Sequence, residues 1–407
     1  MTSLPSGRLD ADAYRFVDWL AAAGQSWWQV LPLSPPDRNG SPYKSASAFA
    51  AWRGLLAAPR ARVHTAEILD FRDRQRFWIE DWARLGPGRP RELIADQVRF
   101  TREWSALRAY AHERGVRLLG DLAFYVAPGS VDHRAWPMLF IDDAVAGVPP
   151  DAFSWRGQLW GNPLYDWHAL RKTGYRWWLQ RISRNLQDLD AVRLDHFRGF
   201  VSYWAVPSQA PDARSGRWRR GPGASLFAAV RTELGDHLPL VAEDLGVITP
   251  AVRRLRDRFV LPGMVVLQFG FGPRAERFSP HAFVNHERRR FVYTGTHDHN
   301  TARGWYEEAD PATRRRADVL AHDLKIDDTE PWWRMVRICL ASAAAVAIIP
   351  AQDVLGLGAG ARMNNPATRS GNWRWQLRAG ALSPQVAARL RDATIASGRL
   401  APSSNSV

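Results

Sequence analysis

The 407-residue chain holds a single cysteine, Cys339. One thiol excludes an intramolecular disulfide framework and fits a reducing compartment, so a cytoplasmic location is expected. No Cys/His spacing suggests zinc, and no metal is expected. Lysine is nearly absent as well, so the formal net charge of +14 is carried almost wholly by arginine. The arginines run from Arg8 to Arg399 without gathering in one tract. A generally basic surface attracts polyanions but reads no sequence, so no specific nucleic-acid partner is expected. Long hydrophobic runs are missing too. The longest, near residues 338–350, is too short and too rich in alanine for a membrane span. The N-terminus lacks a basic stretch followed by an apolar core, so no signal peptide is expected. There are no internal repeats, and Gly356, Gly358 and Gly360 read as a turn signal, not a phosphate loop.

What is present is a globular composition, 46% hydrophobic and 24% charged, in a chain long enough for one large core with insertions. Residues 191–200 read Ala-Val-Arg-Leu-Asp-His-Phe-Arg-Gly-Phe. A short apolar strand that ends in charged residues is the pattern of the C-terminal rim of an α/β barrel. Side chains two apart on a strand share a face, so Arg193 and Asp195 point the same way. The guanidinium favours the ionised carboxylate, which suits an anionic nucleophile. The alternative is a buried ion pair with no chemistry.

Two later stretches repeat the pattern. Residues 238–246 place Glu243 where an apolar run ends, and residues 291–298 place Asp298 likewise. Each gap has room for a helix and another element, as β/α repeats need. Retaining glycoside chemistry uses one carboxylate as nucleophile and one carboxylic acid as proton donor.

Longer blocks surround these stretches: Trp28-Gln-Val-Leu-Pro-Leu, Ser41-Pro-Tyr, Gly120-Asp-Leu, Gly157-Gln-Leu-Trp-Gly-Asn-Pro-Leu-Tyr, Arg193-Leu-Asp-His-Phe-Arg-Gly-Phe, Ala242-Glu-Asp-Leu-Gly, Tyr293-Thr-Gly-Thr-His-Asp, and Gln352-Asp-Val-Leu-Gly through Arg362-Met-Asn to Ser370-Gly-Asn-Trp. In this order they resemble the amylomaltases, or disproportionating enzymes, which are 4-α-glucanotransferases of the α-amylase superfamily. The resemblance implies an α/β fold, a (β/α)8 TIM barrel with rim insertions at about 35–97 and 127–185, spanning residues 1–400 as one catalytic domain. It implies Asp195 as nucleophile, Glu243 as acid and base, and Asp298 as a third carboxylate that binds sugar hydroxyls. The substrate side would be Ser41, Tyr43, Asp121, Gln158, Trp160, Asn162, Arg193, His196, His297 and Asn364, with Asn372 a further sugar donor. Donor and acceptor would be α-1,4-glucans and malto-oligosaccharides, with no cofactor required. A mainly hydrolytic enzyme and a catalytically weak glucan-binding protein are the rival readings.

The chain departs from the family pattern in places. Ala123 stands where proline is usual, Gly129 where aspartate is usual, and His299-Asn300 follow Asp298 where Asn-Asp is usual. Residues 50–97 look like a shortened version of a longer family insertion, and the loop 37–40 lacks the usual tyrosine of a remote glucan-binding site. In that stretch Trp52, Phe77, Trp78 and Trp82 are either core or replacement stacking faces. Trp177 and Trp178 are assigned to core, and Trp160 to a sugar face. Helices are expected at 12–23, 99–114 and 224–234, and strands at 26–33, 116–126 and 265–271. Another strand is expected within 341–354, ending at Gln352 and Asp353. Residues 147–167 read as loop because of Pro149, Pro150, Gly157, Gly161 and Pro163, with a barrel strand hidden at an unplaced position within them, and 203–223 read as a polar excursion. The Ser/Pro/Asn-rich tail, 401–407, reads as disordered.

Overall fold

The computed structural model describes residues 1–150, 154–272, 279–368 and 370–400, so the tail expectation lies outside the described residues. The strands in chain order are β1 (Trp27–Gln29), β2 (Arg117–Leu122), β3 (Phe140–Val148), β4 (Gln158–Tyr165), β5 (Ala191–Leu194), β6 (Ser202–Pro207), β7 (Arg217–Arg220), β8 (Leu240–Ala242), β9 (Gly263–Val266), β10 (Arg290–Tyr293) and β11 (Val346–Ile348). The chain divides into two compact units: residues 30–108 with 118–261, and residues 2–29 with 109–117 and 262 onward.

In the first unit β2, β5 and β8 pair in parallel, with Asp121 opposite Arg193 and Leu194 opposite Ala242. Every residue of β5 and β8 is buried. Parallel strands covered on both faces are mostly apolar, which is why these read as short apolar runs; the exception in β5 is the buried Arg193. The helix Arg176–Asp188 leads into β5 and buries Trp177 and Trp178, the core role expected of them.

Parts of the stretches 147–167 and 203–223 are strands, namely β4, β7, most of β6 and the end of β3. They belong to a four-stranded antiparallel sheet in the order β4-β3-β6-β7. Pro163 sits on the edge strand β4, opposite Val145 where the register shifts. An edge strand has one side without ladder partners, so the missing N–H of proline costs no pairing there. Gly147 is required by a close approach: a Cβ on it would lie 2.6 Å from the Gln158 carbonyl oxygen. The turn residues that hid this sheet therefore serve an edge and a tight crossing.

The stretch 50–97 is mostly helical. Trp78 and Trp82 are buried, Phe49 stacks on Trp78 at 6.1 Å, and Phe77 stacks on Trp136 at 5.4 Å. Trp78 and Trp82 are therefore core, whereas Trp52 and Phe77 are half-buried. The helix expected from residue 99 begins at Pro90 and runs to Glu113. Its early turns carry buried polar residues that obscure the apolar stripe. Gln97 bonds both the amide and the carbonyl of Ala51, and Arg99 pairs with Asp96 at 2.7 Å.

In the second unit β9, β10 and β11 pair in parallel. Val265, Val292, Met335, Ile338 and Cys339 share one buried cluster. The helix Ala11–Ala22 starts at Asp10, whose carboxylate accepts from the Asp12 amide at 3.0 Å. Strand β9 stops at Val266, and residues 267–270 form a 3-10 turn. Gln352 and Asp353 are not at a strand end. Pro350 follows β11 and caps a short helix, Ala351–Val354, that carries both. The buried Asp353 carboxylate accepts from the Thr294 hydroxyl and, at 2.7 Å, from the Ala302 amide.

Candidate active site

Strand β5 carries Arg193 inward and delivers the chain to Asp195. Arg193 Nη1 donates to both oxygens of Asp121 at 2.7 Å, and Nη2 donates to Asp195 Oδ1 at 3.0 Å. The shared face expected from the strand period is therefore present. The guanidinium bridges two carboxylates, and Asp121, with a fully buried side chain, is its closer partner. The Tyr43 hydroxyl also donates to Asp121. A cavity of about 30 Å³ lies beside Tyr43 and Asp121, room for about one water molecule. Asp121 and Tyr43 thus anchor Arg193 in the positions observed.

After Asp195 the backbone turns sharply. His196 has φ 50° and ψ 48°, a left-handed conformation uncommon outside glycine. This turn aims the His196 amide at Glu243 Oε2, at 2.7 Å, and the Leu245 amide meets Oε1 at 2.9 Å. Burial pushes the Glu243 carboxyl up to about 8; Arg193 opposes this, the Asp195 charge adds to it, and the two amides oppose it. The next residue, Asp244, belongs to a separate buried pair with Arg256 at 2.5 Å. Burial holds the His196 imidazole down at about 4, so it is neutral at pH 7.

The residues of β4 divide. Trp160 is half-buried, donates to Gln158 Oε1 at 3.0 Å, and packs edge-on against His196 at 5.1 Å. Trp160 and Gln158 therefore lie beside the His196 turn. Asn162 does not fit the expected sugar-contact role: it is buried, and its amide donates to the Val126 carbonyl at 2.9 Å. Ser41 closes the 37–41 turn, its amide donating to Asp37 Oδ1 at 2.9 Å.

In the second unit Asp298 follows β10, and its side chain is 40% exposed. Asn364 Nδ2 donates to Asp298 Oδ1 at 2.6 Å, and His297 Nε2 lies 3.4 Å from the same oxygen. Arg362 donates to the Asp298 carbonyl at 2.5 Å and to the Asn364 carbonyl at 2.8 Å. Asn364 and His297 thus hold the Asp298 carboxylate. Asn372 does not stand ready for a sugar: its amide bonds Asn365 and Thr368 and closes that loop. The His299 ring accepts from the Thr296 amide at 3.1 Å and lies 2.7 Å from its hydroxyl. Among the described residues no group of three or more His, Cys, Asp or Glu could hold a metal ion.

The sequence reading missed the amides of His196 and Leu245, and the guanidinium of Arg362. A backbone amide leaves no mark in composition. Arg362 had one signal, its place two residues before Asn364 in a block shared with the family.

The family model of the 4-alpha-glucanotransferases matches residues 1–69 and 91–382. The 4-alpha-glucanotransferase of Thermus thermophilus is 38% identical, over 98% of this chain and 97% of that protein. The 4-alpha-glucanotransferase of Synechocystis is 37% identical, over 98% and 96%. Among solved structures, the amylomaltase from Streptococcus agalactiae in complex with acarbose superposes with a TM-score of 0.90 at 29% identity, covering 98% of each chain. The amylomaltase from Corynebacterium glutamicum gives 0.82 at 16% identity, a likeness of fold alone, over 98% of this chain and 74% of that one. These likenesses place the chain in the α/β barrel class expected from the sequence. The Thermus alignment runs over 489 positions, more than the 407 residues of this chain, so the relative carries residues that this chain lacks. The family match breaks between 69 and 91, inside the stretch expected to be shortened.

Proposed function

This chain belongs to the family of 4-alpha-glucanotransferases, enzymes acting on α-1,4-glucans and malto-oligosaccharides, and we propose that Asp195 and Glu243 carry its chemistry by a retaining double displacement. The observation that carries this reading is the setting of Glu243, next to the strand that carries Arg193 and leads into Asp195. Burial raises its carboxyl to about 8, so it holds a proton at neutral pH, and two amides fix its oxygens. Asp195 meanwhile keeps the Arg193 guanidinium at 3.0 Å. A buried carboxyl raised toward its protonated form, beside a carboxylate paired with a guanidinium, supplies the acid and the nucleophile of a glycosidase-type site.

In the first step the Glu243 proton passes to the glycosidic oxygen, the bond from that oxygen to the anomeric carbon breaks, and an Asp195 oxygen bonds to that carbon. In the second step the Glu243 carboxylate takes the proton of an acceptor 4-hydroxyl. The acceptor oxygen then bonds to the anomeric carbon and Asp195 leaves. This geometry calls for carboxyl oxygens roughly 5–5.5 Å apart. Asp298, steadied by Asn364 and His297, is proposed to bind sugar hydroxyls. Trp160, with Gln158 fixing its ring, is proposed to stack on the acceptor sugar, favouring transfer over hydrolysis by positioning the hydroxyl. Residues 1–400 are proposed to form a single catalytic domain, which should unfold in one cooperative transition.

Incubating the protein with maltotriose and resolving the products tests the reading. A ladder of longer oligomers is expected. Glucose and maltose alone would identify a hydrolase, and unchanged maltotriose a binding protein. Among the described residues no helix is long and apolar enough to cross a membrane. A cytoplasmic site of action is proposed, supported by the single, buried, unpaired Cys339.

A further inference from the structure

Within the second unit a cavity of about 440 Å³ lies at the N-terminal ends of β1, β10 and β11. Ser26 and Trp27 line it where β1 begins, Arg288 two residues before β10, and Val346 where β11 begins. Asp298 follows β10 at its other end, so this cavity is not part of the Asp298 cluster. Three arginines line it, Arg117, Arg288 and Arg399, and no aspartate or glutamate does.

The three play different parts. Arg399 is spent on backbone: Nε donates to the Leu340 carbonyl at 2.5 Å, and Nη2 to the carbonyls of Ser342 and Ala344 at 2.5 and 2.7 Å. Carbonyl dipoles hold that guanidinium in place but leave its charge uncancelled. Arg117 is exposed and lies over the Trp27 ring at 4.1 Å; Arg288 is also exposed. Among the described residues neither pairs with a carboxylate. Two forked donors remain for a ligand, beside a fixed third charge and a wall of Leu340, Ala343 and Ala347. A concave site with one sign of charge and apolar walls concentrates the opposite sign.

We propose that this cavity binds a small organic phosphate monoester. The planar guanidinium fork matches phosphate oxygens in pairs. The volume falls within the roughly 300–1,000 Å³ of small-molecule sites, so a bare phosphate would leave most of it empty. Neutral glucans offer these arginines no charge, so the ligand is neither donor nor acceptor of the transfer reaction.

The test is calorimetric titration of the full chain with glucose 6-phosphate, inorganic phosphate and glucose. Glucose 6-phosphate should bind one to one, about tenfold or more tighter than inorganic phosphate, with no binding of glucose. The Arg117→Gln/Arg288→Gln variant should weaken binding by about tenfold or more, while Arg254→Gln/Arg315→Gln, which removes equal charge elsewhere, should leave it unchanged. Absence of saturable binding up to about 10 mM, equal weakening in both variants, or inorganic phosphate binding as tightly as the ester would each overturn the proposal. Hydrogen exchange on the unaltered protein gives an independent reading: the ester should protect residues 340–347 and 394–399, and protection elsewhere alone would refute the site.

Discussion

The His196 amide donates to Glu243 Oε2 at 2.7 Å, while the next amide, of Phe197, donates to the Glu243 carbonyl at 3.1 Å. The two residues after Asp195 therefore clamp Glu243 by both side chain and backbone. The clamp depends on the left-handed conformation of His196. Asparagine tolerates that conformation and a β-branched residue does not. His196→Val should be less stable than His196→Asn by ~1–2 kcal/mol, with the lower maltotriose turnover of the two. Equal urea midpoints and equal turnover would show that the conformation is not enforced.

Glu243→Gln removes the proton donor and should lower turnover by about 10²–10⁴-fold. Its effect on stability has the opposite sign. The folded carboxyl sits at about 8, above the ordinary glutamate value of 4.5, so between these values the native state holds the extra proton. Native stability from this group is thus full at low pH and lost as pH rises through that window. Glutamine does not titrate, so melting temperatures should diverge in favour of Glu243→Gln from pH 4.5 to 8. Parallel melting curves across that range would refute the raised value. Wild-type turnover should also fall as pH passes about 8, where the acid is lost.

Arg193→Ala should cost both turnover and fold. The substitution leaves the buried Asp121 carboxylate without its partner, a loss of ~3–5 kcal/mol for a broken buried pair. Arg193→Ala/Asp121→Asn should recover much of that stability but not the activity, because Asp195 still lacks its guanidinium. Recovery of turnover in the double variant would show that Arg193 acts only on the fold.

Trp160 and Asn162, two residues apart on β4, should separate function from support. Trp160→Ala should raise the ratio of glucose released to oligomers formed from maltotriose while leaving the melting temperature nearly unchanged. Asn162→Ala, which orphans the Val126 carbonyl, should cost ~1–3 kcal/mol of stability without shifting that ratio in the protein that remains folded. The reverse pattern would exchange the two roles.

The stretch before residue 91 should govern product size. Residues 50–97 are expected to be a shortened family insertion, and Trp78 and Trp82 are committed to the core, so we propose that remote subsites lose one wall. Short malto-oligosaccharides should be processed well, and long amylose should give few large cyclic glucans. Efficient large-ring formation from amylose would show that the missing segment does not limit the chain's path.

Asp195 and Glu243 stood out because a buried parallel strand is mostly apolar, and each follows directly on one, β5 and β8; Asp298 lies five residues beyond the end of β10. Arg193 and Asp195 were legible from the two-residue period alone. The cores around Trp177 and Trp178 followed from composition. Only the tertiary structure decided that Arg193 belongs first to Asp121, since that contact joins neighbouring strands far apart in the chain. Only it turned proline- and glycine-rich segments into an antiparallel sheet, because edge strands accept residues that read as breakers. The sequence also pointed Asn162 at a sugar, whereas in the fold it supports the backbone. An amide side chain bonds a sugar or a carbonyl equally well, and the Val126 carbonyl beside it decided which. Glu243's proton arises the same way, from burial and from amides that every residue carries and no sequence displays.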